Sequence, residues 1–221
     1  RAMQVIRPNG TGLRTQPSGS PFPAIRGQAT MHACMNRIAP VATDYIEVWP
    51  GGPDRLRREG GVLAVLLANP TNPVPGNDFN HIIGVCASKN AASGASVGFI
   101  CELRQGTDAV LSLGGGTLIA SFVCANVPPT VDTYYRYRLT TAEAALITFY
   151  PSLGLRFVAI NGRGGAPRAC RLHWAGLALP TAADPSAHAH FTPEELRRKE
   201  RGLALTQESD RRSTGSTTRP F

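Results

Sequence analysis

Six basic residues near the C-terminus, Arg197, Arg198, Lys199, Arg201, Arg211 and Arg212, are the side chains best placed for a chemical role, and that role is electrostatic. Arg197 to Arg201 stand among Glu194, Glu195 and Glu200. On a helix, many of these charges would pair at i,i+3 or i,i+4, as on an ordinary solvated face. The surplus suits an acidic surface, nucleic acid foremost, in a contact that weakens with salt.

Covalent chemistry has poorer support. Gly94-Ala-Ser-Val-Gly98 matches the G-x-S-x-G pattern that presents a nucleophilic serine between a strand and a helix. The text before it, Ser88 to Ser93, is loop-like, and Val97 onward alternates as a strand does. A small-residue hairpin turn therefore accounts for Ser96 better than a nucleophile. Asp78, His81 and Ser96 supply the residue types of a triad, with nothing beyond type to join them.

Metal and phosphate sites are not specified either. His188 and His190 share one side of an extended segment and His173 lies on a late strand, but no third ligand can be placed. Gly114-Gly-Gly-Thr117 lacks the lysine and helix of a phosphate-binding loop and reads as a hairpin. Cysteines 34, 86, 101, 124 and 170 include no C-x-x-C pair, and four sit in apolar, strand-like text. They read as buried, reduced thiols behaving as small hydrophobes. No catalytic, cofactor or metal residue is assigned.

The elements that would carry such residues are short. Gly 23 and Pro 18 exceed the usual share, which points to many turns rather than a few long helices. No apolar run reaches the 18 or so residues of a membrane-crossing helix, and residues 1–20 contain no signal-like apolar stretch. The net charge of +8 is uneven: residues 61–130 hold two basic and three acidic groups, and the basic excess lies toward both ends. The middle third thus reads as core.

Residues 7–28 are rich in Gly, Pro and Ser without periodicity and read as an arm or loop on a surface. From Ala29 on, apolar runs alternate with turn signals: 31–38, 45–49, 62–67, 81–87, 97–104, 109–113, 118–125, 135–139, 146–149, 155–160 and 170–179. Tyr135-Arg-Tyr-Arg-Leu139 alternates strictly and should have one wet face. Val62 to Leu67 is apolar throughout, as a strand buried on both faces would be. Some eight to ten strands with this spacing make an all-β sandwich, jelly roll or barrel. Two helix starts interrupt the series. Thr140-Thr-Ala-Glu143 fits a capping box, and Thr192-Pro-Glu-Glu195 predicts a helix over about 193–201, ended by Gly202. Residues 207–221 are nearly without apolar side chains and should form a flexible basic tail.

This layout resembles the coat proteins of the picorna-like viruses: an extended lead, short strands with long loops, and a last strand, Arg171 to Pro180, followed by an extension. The resemblance implies an all-β, eight-stranded jelly-roll β-sandwich over 29–182, with an extended N-terminal arm over 1–28. A C-terminal extension over 183–221 would hold the short helix and tail. It further implies a structural coat subunit, released from a polyprotein and assembled with other capsid chains, identical or different, into an icosahedral shell around viral RNA. The setting would be the virion, and the host cytoplasm during assembly. Release by proteolysis would account for a chain that opens on Arg1. The other readings are a β-sandwich module binding carbohydrate or protein, and, behind it, a serine hydrolase using Ser96.

Overall fold

The computed structural model describes residues 2–15, 24–48, 61–71, 73, 81–113, 115–130, 134–161 and 168–181. The chain divides into units 1–182 and 183–221, and the second lies outside the described residues. In chain order the elements are β1 (Ala2–Ile6), β2 (Pro8–Thr15), β3 (Ala24–Arg26), α1 (Met31–Met35), β4 (Tyr45–Val48), β5 (Val62–Leu67) and β6 (Ile82–Lys89). There follow β7 (Val97–Gln105), α2 (Asp108–Ser112), β8 (Thr117–Cys124), β9 (Tyr134–Arg138) and α3 (Thr141–Ala145). A 3-10 turn (Tyr150–Ser152), β10 (Leu153–Asn161) and β11 (Cys170–Thr181) complete the series.

The strands form two antiparallel sheets, an all-β sandwich. One sheet runs β3-β4-β11-β6-β9, with β1 also on β11; the other runs β2-β5-β10-β7-β8. From β4 to β11 the chain changes sheet at every step except β7 to β8. Alternation explains the core. Val97, Phe99, Cys101 and Leu103 of β7 are buried, as are Leu153, Leu155, Phe157 and Ala159 of β10. Opposite them stand Ile83, Val85 and Ala87 of β6 and Ala175, Leu177 and Leu179 of β11. Phe99 joins the layers: its ring lies 5.4 Å from Tyr135, 6.2 Å from Phe122 and 6.2 Å from Phe157, each edge to face. On β9, Tyr135 and Tyr137 are half-buried while Tyr134, Arg136 and Arg138 face water, the predicted wet alternation.

The long strand β11 carries a bulge. Leu172 pairs with Ala87 and Trp174 with Cys86, so His173 is an extra residue. The bulge shifts the inward parity from Cys170 and Leu172 to Ala175, Leu177 and Leu179, and all five are buried.

The lead does not lie loosely on the surface. Strand β1 pairs along β11 (Ala2 with Thr181, Ile6 with Leu177), and β2 pairs along β5, so paired structure begins ahead of Ala29. Ile6 is part of the core. The register of β2 shifts twice, and its first residue is Pro8, which an edge strand tolerates. These bulges erase the period-2 signature.

Three runs expected as strands are otherwise. Residues 31–35 form α1, because Thr30 caps it (its hydroxyl accepts the Ala33 N–H at 3.4 Å) and Met31, Cys34 and Met35 fall on one buried helical face. Residues 108–112 form α2, capped by the Thr107 hydroxyl on the Val110 N–H. Residues 146–149 lead from α3 into the 3-10 turn. The capping box at α3 is formed as predicted: Glu143 N–H donates to Thr140 Oγ1 at 3.2 Å, and Thr140 N–H to Glu143 Oε2 at 2.7 Å. The predicted helix over about 193–201 lies outside the described residues.

Since Phe99 touches aromatic partners from three other strands, Phe99→Ala should cost about 3–5 kcal/mol, as large-to-small core changes do. Urea denaturation measures this; a loss below about 1 kcal/mol would show that the sheets are joined elsewhere.

Candidate functional site

The residues nominated from sequence scatter. Arg197, Arg198, Lys199, Arg201, Arg211 and Arg212 lie outside the described residues, as do Asp78, His188 and His190. Ser96 is half-buried just after the bend at residues 92–95, two positions from Gly94 at φ 90°, and a strand follows it. The strand–turn–helix setting of a nucleophile is not formed there. His81 is buried with Nε2 2.8 Å from the Tyr150 hydroxyl. All five cysteines are buried and free. Burial raises the pKa of Cys101 and Cys170 well above a free thiol's and pushes Cys124 up to about 12, so these thiols stay protonated.

Titratable groups gather where β4 meets β11. Asp44, almost fully buried, accepts from Gln28 Nε2 at 2.7 Å and from an Arg37 guanidinium nitrogen at 3.0 Å. Arg171 donates to Glu47 at 2.8 Å, and its guanidinium stacks 4.4 Å above the Tyr45 ring. His173, the extra residue of the bulge, is buried against residues 37–44. Its Nδ1 lies 3.3 Å from the Val41 carbonyl, which can only accept, so Nδ1 carries the proton and Nε2 accepts the Ser88 hydroxyl at 2.8 Å. Trp174 Nε1 donates to the Arg37 carbonyl at 2.8 Å. Together these bonds hold residues 37–44 against β11. These bonds give the cluster a structural role, and it reads as a fastening.

The other assembly is open to solvent. At one end of the β2-β5-β10-β7-β8 sheet lies a cleft of about 670 Å³. Its apolar lining is Leu66, Leu67 and Pro151, and Phe149 stands at it 60% exposed. Gln105, at the end of β7, places that ring. Its side-chain oxygen accepts the N–H groups of Thr148 (2.9 Å) and Phe149 (3.0 Å), and its Nε2 donates to the Thr148 hydroxyl (2.7 Å). Ser152 Oγ donates to the Phe149 carbonyl at 2.9 Å. Next to it Tyr150 is drawn inward by His81, so the chain turns one ring into the core and the other out. Asn9, Asn69, Asp108 and Thr117 also line the cleft, and their side chains have no hydrogen-bond partner among the described residues. Sequence reasoning missed this assembly, because its parts come from five stretches of chain that are each locally ordinary. Among the described residues, no group of three or more His, Cys, Asp or Glu is arranged to hold a metal ion.

No protein-family model and no curated protein matches the chain. Among solved structures, it is similar to the K3 cleaved adhesin domain of Lys-gingipain from Porphyromonas gingivalis. The identity is 10%, covering 62% of this chain and 75% of that one, with a TM-score of 0.30. That likeness is too slight to bear on function.

Burial lowers the pKa of His173 below its ordinary 6.5. The folded protein thus binds this proton less readily than the unfolded chain does. Stability from the neutral ring is complete above about pH 6.5 and is lost as pH falls below it. Carboxylates act in a separate, lower window. Burial alone would raise the Glu102 pKa, but hydrogen bonds from Arg104 and Arg156 outweigh it and hold it below 4.5. The melting temperature should therefore fall between pH 7 and 5, and His173→Gln should flatten that decline. An unchanged slope would show that another group titrates.

Proposed function

We propose that strands β4 to β11 form an eight-stranded jelly roll and that the chain is a structural coat subunit of an icosahedral, picorna-like RNA virus. The observation that carries this reading is the pairing order. β4 lies beside β11, β5 beside β10, β6 beside β9 and β7 beside β8. Those are the nested pairs of one long antiparallel hairpin whose ends have been rolled over each other. Further pairing of β11 with β6 and of β10 with β7 closes the roll into two four-stranded layers, β4-β11-β6-β9 and β5-β10-β7-β8. Double-sheet rolls of this order are the architecture of viral shell domains, and also of lectins and cupins, so the topology narrows function without deciding it.

Two features favour the shell. Ile38 is 89% exposed, Leu113 73% and Val123 61%, apolar side chains that contacts with neighbouring capsid chains would cover. The net charge of +8 suits an acidic partner such as RNA, although residues 192–221, with seven basic and five acidic groups, contribute only +2 of it. Arg197, Arg198, Lys199, Arg201, Arg211 and Arg212 would then face RNA or a neighbouring subunit. The rival reading, a monomeric sandwich module with a ligand, draws on the open cleft beside Phe149.

Co-expression with the companion chains of its own genome decides between them. A coat subunit sediments as pentamers or shells and shields RNA from nuclease. A chain that stays monomeric at high concentration with those companions present is not one. Replacing the six basic residues by Gln should leave particles intact, lower the protected RNA and flatten its salt dependence. Unchanged RNA retention would assign those residues to the helix surface or to protein contacts.

A further inference from the structure

We infer that the cleft at the end of the β2-β5-β10-β7-β8 sheet binds a neutral saccharide, with the Phe149 ring as stacking platform and Asp108, Asn9 and Asn69 as hydroxyl-reading groups. The inference names a ligand class for the cleft and stands whether or not the chain builds a shell.

The lining sets the ligand's chemistry. A volume of about 670 Å³ falls within the range of sites for small ligands. A phenyl ring carries negative charge on its face, and the C–H groups on one side of a sugar ring are its natural partner. Phe149 is not exposed by looseness: the Gln105 side chain holds the N–H groups of residues 148 and 149, and Ser152 holds the carbonyl of 149. A ring so fixed loses little freedom when a ligand stacks on it.

The polar groups fit hydroxyls. A carboxylate accepts only, and its two oxygens can take both O–H groups of a vicinal diol. Asn9 and Asn69 each offer a carbonyl that accepts and an amide that donates, which matches hydroxyls that do both. Thr117 adds a further hydroxyl. None of these four side chains is hydrogen-bonded within the described residues, and all four are exposed, so a ligand would replace water there rather than a protein partner.

Charge excludes the nearest alternatives. Among the described residues of the lining, Asp108 is the one ionisable group, and none is Lys or Arg. A phosphorylated ligand or an acidic sugar would meet a like charge with no cation to offset it. An acyl chain would leave the Asp108 carboxylate and two amides desolvated and unpaired.

The test is saturation-transfer NMR on the full chain with glucose, galactose, mannose and N-acetylglucosamine at millimolar concentration, with N-acetylneuraminic acid as the anionic comparator. At least one neutral sugar should receive saturation, and the acidic sugar none. Phe149→Ala and Asp108→Asn should each weaken binding about tenfold, while Phe149→Trp retains it. Both sites are exposed, and unchanged thermal melts would show that the variants fold. The inference is overturned by silence from all four neutral sugars, by a response from the acidic sugar alone, or by affinity that neither variant changes. Because binding is read on the unassembled chain, its failure is separate from any failure to form shells.

Discussion

The second edge of β11 is the demand around which the rest of the molecule is organised. This strand is twelve residues long, and one side pairs with β6 from Cys170 to Ala178. On the other side β4 reaches only residues 170–172. A strand in the middle of a sheet cannot leave its remaining N–H and C=O groups unpaired away from water. Strand β1 meets that need, pairing residues 177–181 with 2–6. One residue later the chain enters the other sheet, where β2 covers the outer edge of β5. Arg7, between them, accepts the Ala68 N–H at 2.9 Å. The lead therefore fastens both layers at once, which a surface arm would not do.

The bulge in β11 answers a second demand of the same strand. Twelve residues of strict alternation would set His173 and Trp174 on opposite faces with no correction of parity. The extra residue lets both halves keep apolar side chains inward while His173 enters a pocket made by Ser88 and the Val41 carbonyl. Trp174 on the outer face comes close above Gly84, where a Cβ would collide with the indole. A glycine on β6 is thus required by a tryptophan on β11. The fastening of residues 37–44 follows from this pair, since both side chains bond to carbonyls in that segment.

What could be read from sequence was what alternation writes directly. The strands at 97–105, 134–138 and 170–181 carry a two-residue period or a long apolar run, and each is a sheet element. The capping box at Thr140 was legible because its two hydrogen bonds are local. The misread segments were those where another signal was present but weaker than apolarity. Thr30 and Thr107 each precede a helix of a single turn or so, too short to display a 3.6-residue period. The lead was hidden by register shifts and by Pro8, which suit an edge strand and resemble a loop. The pairing order was not readable at all. Nothing local to β4 or β11 says that residues about 125 positions apart are neighbours; that follows from how the faces of all the strands are buried together.

The cleft belongs to the same class of hidden features, and for the same reason. The sheet order brings the end of β5, the end of β7, the start of β8 and the start of β10 to one rim, where their loops must share space. Core demands account for most of what stands there: Tyr150 goes inward to His81, Ile147 and Leu111 are buried, and Gly116 adopts φ 89° to turn into β8. They do not account for Phe149. A phenyl ring left 60% exposed gains little from burial, and no packing partner among the described residues explains the bonds that fix its backbone. Gln105 spends its whole amide on residues 148 and 149, although water would satisfy those exposed groups equally well. Fixing a backbone that solvent could already serve is reasonable when the direction of the side chain matters. Phe149 lines the same cleft as four exposed polar side chains that bond to nothing else described. Stability of the sandwich does not require that arrangement, whereas the proposed saccharide would make use of it.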